Sequence, residues 1–283
     1  MPTLPTAGMP LRERMNLRLV TALNETPSAK RVLSFYLRTF GAWWVHKATE
    51  KIIRIEGLER VLRLAPEGGI VVASNHRSFF DFYVISSILF RNAPALARRI
   101  YFPVRSNFFY DSWAGLAVNA VVGGFSMYPP IFRQKERREL NEISMNRIES
   151  LLRERGVVVG IHPEGTRGKG PDPFELLPAQ PGIGQVLFDS RVPVVPVFIL
   201  GLTNNFPHQL LNGVRGKVDR VDALFGEPVP LDDLYVLGGR GSTYLRIAQR
   251  VREAISVLGE RVKEGRERLN AKTRRRKDAI GLE

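Results

Sequence analysis

The residues with chemistry to offer fall in two short segments. The first, Asn75-His76-Arg77-Ser78-Phe79-Phe80-Asp81, directly follows the apolar run GGIVVAS. An imidazole near neutral pH can take the proton of an attacking hydroxyl, and a carboxylate on its other nitrogen fixes the tautomer and steadies the cation that forms. His76 at a strand's end and Asp81 at the start of the next helix would lie close in space. A His and an Asp at this spacing also recur by chance, and Asp81 there can serve simply as a helix cap. The second segment is His162-Pro163-Glu164-Gly165-Thr166-Arg167, directly after VVVGI. Its chemistry is anion recognition: Arg167 can grip a phosphate through two parallel hydrogen bonds, Gly165 lets backbone N–H groups approach, and Thr166 adds a hydroxyl. Glu164 can orient Arg167 or accept from a substrate hydroxyl. An exposed turn with an ion pair has the same composition, so neither segment is decisive alone.

The elements that must position these residues follow from the hydrophobic pattern. From Lys51 onward short β-branched runs alternate with helical patterns, the signature of strands joined by crossover helices. Strands are expected at Ile52–Ile55, Gly69–Ala73, Ile100–Val104, Val157–Ile161, Val194–Leu200 and Val218–Phe225, and helices at Asp81–Phe90, Gln134–Arg155 and Ser242–Glu264. This is an α/β fold: a single domain with a mixed, largely parallel sheet flanked by helices. The helix from Gln134 ends at Gly156 and delivers its strand to the second segment, and loops at strand ends are where sites are usually built. Ahead of the domain, Ser28–Thr49 places Leu33, Tyr36, Leu37, Phe40, Trp43 and Trp44 at helical spacing. Such a stripe suits a helix packed on the core. Its two tryptophans among Lys30, Arg31, Arg38 and Lys47 suit a helix lying on lipid equally well.

Composition narrows the partners. The 283 residues are 44% hydrophobic, enough for a substantial core, and carry a formal charge of +14, which favours polyanions: nucleic acid, a phosphorylated substrate or an anionic membrane. The basic residues are spread along the chain and form no nucleic-acid-binding module, so nucleic acid is not an expected partner. With no cysteine in the chain, disulfides, thiolate nucleophiles and cysteine-ligated metals are excluded. Prolines in MPTLPTAGMPLRER interrupt what a signal peptide would need, which predicts a cytoplasmic protein. The uncharged run Ser112–Phe132 carries Asn119, three glycines and Pro129-Pro130, and is read as protein interior rather than a membrane span. Between Arg261 and Lys277 nine Lys or Arg stand against Glu264 and Glu267. That stretch reads as a frayed helix end and tail, either a solvated charge run or a contact for anionic headgroups, which contribute roughly 1 kcal/mol per basic residue near the surface.

Taken together and in this order, NHRSFFD and PEGTR resemble the glycerolipid acyltransferase family, most closely the bacterial 1-acylglycerol-3-phosphate acyltransferases, whose signature is an NHxSxxD segment followed by PEGTR. Two further features agree: the apolar strand VPVVPVFI, Val192–Ile199, and Arg133 at the end of GGFSMYPPIF. The resemblance spans roughly Gly57 to Pro228. It implies His76 as general base and Asp81 as its supporting carboxylate. It also implies phosphate and glycerol contacts at Glu164, Gly165, Thr166, Arg167 and Arg133, and a basic residue near the acyl pocket at Arg105. The implied donor is acyl-CoA or acyl carrier protein, the acceptor a phosphorylated lysolipid at the cytoplasmic face of an anionic membrane, and no cofactor or metal is called for. The chain then divides into a helical segment at 1–50, the acyltransferase domain at 51–264 and a basic tail at 265–283. It departs from the family pattern around the acceptor side, where His162 replaces an aromatic residue, Gly168 a frequent serine and Gln180 a lysine, and near the acyl pocket, where Arg105 stands for a lysine.

Overall fold

The computed structural model describes residues 9–106, 110, 112–132, 134, 137–216 and 220–280. Its framework is a sheet of strands β1 (Ile53–Glu56), β2 (Ile70–Ser74), β3 (Arg99–Tyr101), β6 (Val157–Ile161), β7 (Val194–Leu200) and β8 (Val221–Phe225). Across the sheet the order is β1-β8-β7-β2-β6-β3; every pairing is parallel except that of β7 with β8. The expected fold class is therefore the one observed. A separate two-stranded ribbon pairs β4 (Val104–Arg105) with β5 (Pro130–Ile131). The apolar run Ile100–Val104 is divided between the sheet and this ribbon, and Pro103 between them has no N–H for a ladder bond.

Alternation along the central strands builds two cores. Val71, Ala73, Val157 and Val159 face one layer, which contains α8 (Pro181–Ser190) and α11 (Gly241–Ile280). Ile70, Val72 and Val158 face the other, with α5 (Asp81–Asn92) and α3 (Ala42–Thr49). The stripe Ile247, Val251, Ile255, Leu258 and Val262 recurs every three to four residues and seats α11 on the sheet. Beyond that stripe the helix does not stop: α11 continues to Ile280, so the expected tail is helical up to that residue. The helix expected from Gln134 is α7, Arg138–Leu152. The short helices α4 (Leu58–Leu62) and α10 (Asp232–Tyr235), with α9 (Phe206–Arg215), complete the layers.

The N-terminal segment is partly core. Helix α1 (Leu11–Glu25), which the pattern did not announce, buries Leu17 and Val20 and ties Asn16 to the Tyr110 carbonyl and Glu13 to Arg137. Helix α2 (Pro27–Tyr36) runs through a π-helical turn, Leu37–Gly41, into α3. Along this rod Leu37, Ala42 and Val45 are buried, while Val32, Phe35, Phe40 and Trp43 are exposed, so core packing and an open apolar face occur on opposite sides of one helix. Lys30 lies on the buried side, donating to Asn24 and Ser126 over the Tyr101 ring, and burial, aided by Arg99, pushes its ammonium down to about 7. The run Ser112–Phe132 is interior in its second half, where Met127, Tyr128 and Phe132 are buried, but helix α6 (Trp113–Val121) corrects that reading: it buries Gly115, Leu116 and Asn119 and exposes Trp113, Val118 and Val121. Among the described residues no helix is long and apolar enough to cross a membrane.

Candidate active site

Strands β2 and β6 are parallel neighbours, in register from Ile70 with Val158 to Ala73 with Ile161. Their carboxyl ends therefore open side by side, and segments 88 residues apart in sequence meet there. The loop after β2 is held to the sheet by Asn75, whose carboxamide both donates to the Ile199 carbonyl (2.9 Å) and accepts from the Ile199 N–H (2.8 Å) on β7. His76 follows immediately, so the first residue of the NHRSFFD segment fixes the backbone of the second.

Asp81 opens α5 but does not act as a conventional cap. Its Oδ2 accepts from the Arg77 N–H (2.9 Å) and the Ser78 N–H (2.8 Å), closing the loop, and lies 3.1 Å from His76 Nδ1. A carboxylate in that place selects the tautomer with the proton on Nδ1, leaving Nε2 as the acceptor. Burial pushes the His76 imidazole below its ordinary range, and the Arg167 and Arg105 guanidinium groups push the same way. At neutral pH the ring is uncharged and ready to accept a proton. Burial raises the Asp81 carboxyl, opposed by His162 and by the backbone N–H groups of Ser78 and Arg77. Ser78 Oγ is buried, donates to the Thr203 carbonyl (3.2 Å) and accepts from the Phe80 N–H (3.1 Å), so it is committed to the loop.

The second loop wraps the first. Its turn is closed by Gly165 donating to the His162 carbonyl (3.0 Å), with Gly165 at φ +63, a left-handed conformation that favours glycine. Glu164 is buried with both oxygens engaged: Oε1 accepts from the His76 N–H (2.9 Å) and Oε2 from the Leu177 N–H (2.8 Å). The carboxylate expected to touch substrate thus supports the main chain of His76. Arg105 donates to the Gly165 carbonyl (2.6 Å), and Arg77 to that of Gly170 (2.6 Å). A side chain at Gly168 would meet Arg77 Nη1 at 2.8 Å, so the serine missing there leaves room for this arginine clamp. The Arg167 guanidinium carbon lies over the Phe79 ring, 3.7 Å from its centroid, a cation–π contact that joins the two segments. Arg133 falls outside the described residues.

A cavity of about 1020 Å³ opens on these groups. His76 lines it together with Arg105, Thr166, Arg167 and Lys169, and its remaining wall is mostly apolar, including Phe102, Val122, Met127, Ile148 and Val186. Of the expected site residues, His76, Arg105, Gly165, Thr166 and Arg167 reach this space, while Asp81 and Glu164 stand behind them. Lys169 and His162 are lining residues to which the sequence alone assigned no role. Lys169 sits among glycines without a pattern of its own, whereas His162 was visible only as an odd residue at an aromatic position. His76, Asp81 and His162 bring ligand-type atoms within 4.8 Å of one another. The two rings, however, lie face to face with planes 8° apart, so their in-plane lone pairs run parallel and do not converge on one ion.

A family model described as Acyltransferase matches residues 52–200, which hold both segments, VPVVPVFI and every strand but β8. The chain belongs to this acyltransferase family. The crystal structure of the 1-acyl-sn-glycerophosphate (LPA) acyltransferase, PlsC, from Thermotoga maritima has a similar fold, with a TM-score of 0.51 and 17% identity over 88% of each chain. For an acyltransferase the arrangement has clear parts. A neutral imidazole, oriented by a carboxylate, faces a cavity whose lining combines the cations of Arg105, Arg167 and Lys169 with a mostly apolar wall.

Proposed function

We propose that this acyltransferase moves a fatty acyl chain from acyl-CoA or acyl carrier protein to the free hydroxyl of a lysophospholipid, with 1-acylglycerol 3-phosphate the foremost acceptor. The observation that carries the reading is the shared cavity: His76 lines the same space as Arg105, Arg167 and Lys169, and that space continues into apolar wall. A phosphate gripped by these cations leaves a glycerol hydroxyl within reach of His76, and hydrocarbon chains match the remainder.

The chemistry follows from the tautomer. The acceptor hydroxyl passes its proton to His76 Nε2 as its oxygen forms a bond to the thioester carbonyl carbon, giving a tetrahedral oxyanion. Asp81 steadies the imidazolium through Nδ1–H. Collapse breaks the C–S bond, and the proton on Nε2 passes to the leaving thiolate sulfur, so ester and free thiol form and His76 is restored. No acyl-enzyme is needed, in keeping with the engagement of Ser78 Oγ.

Peripheral attachment to the cytoplasmic face of an anionic membrane completes the proposal. It is supported by exposed Phe35, Phe40 and Trp43, by the basic chain, and by α6, whose Val118 and Val121 are both exposed and cavity-lining. Tyr36 Oη donates to the Val121 carbonyl (2.7 Å), joining that face to the cavity wall. The test is an acyl-transfer assay offering lysophosphatidic acid, other lysophospholipids and glycerol 3-phosphate in parallel, each with CoA and carrier-protein donors. Acylated lysophosphatidic acid as the dominant product is expected; thiol release without an acylated lipid would contradict the reading.

A further inference from the structure

His76 has its edge held by Asp81 and its backbone held by Glu164 and Asn75, but one hydrogen bond at Nδ1 sets only a direction. The ring can still tilt about the Nδ1···Oδ2 line, and a tilt moves Nε2, the atom that must meet the acceptor hydroxyl. What removes that freedom is His162. Its ring lies on the His76 ring with centroids 3.8 Å apart and planes 8° from parallel.

The His162 ring is itself anchored. Nδ1 is 3.0 Å from the Ser74 carbonyl and 3.2 Å from Ser74 Oγ. A carbonyl can only accept, so Nδ1 carries the proton and both orientation and tautomer are set. The Phe82 ring lies 4.3 Å away at 51°. Phe82 comes this close because Gly160 on β6 has no side chain: a Cβ there would meet the Phe82 ring at 2.3 Å. Ser74 ends β2 and Phe82 belongs to α5, so the platform is tied to the same strand and helix that bracket the base. Burial holds His162 below its ordinary range, as does the neighbouring His76, while Asp81 and hydrogen bonding to the backbone of Ser74 and Asn75 oppose this. A neutral platform adds no second cation when His76 takes its proton.

We propose that His162 is a positioning residue for acyl transfer, its ring, anchored through Ser74, setting the plane of His76 so that Nε2 faces the acceptor hydroxyl. The proposal rests on His76 being the base. It turns chiefly on the ring face, with the Ser74 bond as its secondary anchor, so an aromatic hydrocarbon should substitute in large part and a side chain without an aromatic ring should not.

The experiment compares His162→Phe, His162→Leu and His162→Gln with wild type and with His76→Ala, measuring kcat and acceptor KM with lysophosphatidic acid and acyl-CoA, after thermal melting confirms each protein is folded. Displacing a reacting group by about 1 Å costs on the order of 100-fold, so His162→Leu should lower kcat by roughly that factor with KM little changed, and His162→Phe should stay within about tenfold of wild type. His162→Gln keeps a donor for the Ser74 carbonyl without the ring face; it should fall with Leu and stands in should the Leu protein not fold. Wild-type turnover by Leu or Gln overturns the proposal, as does a Phe variant as slow as either. If His76→Ala is active, the base assignment fails; if it is inactive while Leu or Gln matches wild type, only the positioning role fails.

Discussion

The loops after β2 and β6 lie side by side yet are built on opposite plans. In the loop after β2 the side chains of Asn75, Ser78 and Asp81 are all buried and all engaged with backbone groups or His76, so His76 stands on fixed dipoles. In the loop after β6 Pro163, Glu164 and Gly168 are buried, but the polar side chains of Thr166, Arg167 and Lys169 are partly or fully open along the cavity. The difference teaches which part can vary. A proton transfer tolerates little displacement, whereas a headgroup can be met by cations from several directions. The chain accordingly keeps NHRSFFD intact and departs at Arg105, Gly168 and Gln180, while at His162 it exchanges one flat ring for another.

The sharpest way to break this contrast is to remove the base. His76→Ala should lower kcat by about 10²- to 10⁴-fold, the range of general-base contributions, in a product-forming assay at saturating acceptor. Asp81→Asn should come next, since it upsets both the tautomer and the loop closed on Oδ2; a kcat loss of roughly 100-fold or more with modest change in KM is expected. Glu164→Gln tests the crossing point of the two plans. If Glu164 supports the His76 backbone, kcat should drop by about tenfold, the scale of one hydrogen bond to a charged group, with acceptor KM nearly constant. A raised KM with constant kcat would return Glu164 to the substrate. Arg167→Ala should do the reverse of Glu164→Gln, raising KM for a phosphorylated acceptor by about tenfold while sparing turnover.

The smallest effect concerns pH. His76 is held below its ordinary range by burial first and then by Arg167 and Arg105, so the neutral, active ring persists below the usual histidine pKa of about 6.5. The acid limb of kcat/KM should therefore lie under that value. Removing the Arg167 charge makes the protonated ring easier to form, so in Arg167→Ala the limb should move to higher pH. A shift to lower pH would contradict the electrostatic assignment.

Much of the framework could be read in advance because it is written in local pattern. Strands β6 and β7 begin and end with the runs Val157–Ile161 and Val194–Leu200, since strands covered on both faces read as unbroken apolar stretches. Helix α1 could not be read that way. Its inward side carries Glu13, Asn16 and Asn24, satisfied by Arg137, Tyr110 and Phe125 far along the chain. The run Ser112–Phe132 misled for a related reason: apolar residues that line a cavity and face outward have the same composition as core. At the site, residue types pointed to base and anion grip but not to direction. Whether Glu164 faces substrate or the His76 N–H, and whether His162 meets His76, depends on β2 and β6 being neighbours, which spacing alone does not reveal.

The account stands on His76 as the proton acceptor, and turnover of the His76→Ala protein measures that most directly. With acyl-CoA and lysophosphatidic acid, the doubly acylated product counted by mass spectrometry, and thermal melting showing an intact fold, the account predicts a kcat at least about 100-fold below wild type. Turnover within a few-fold of wild type would contradict it.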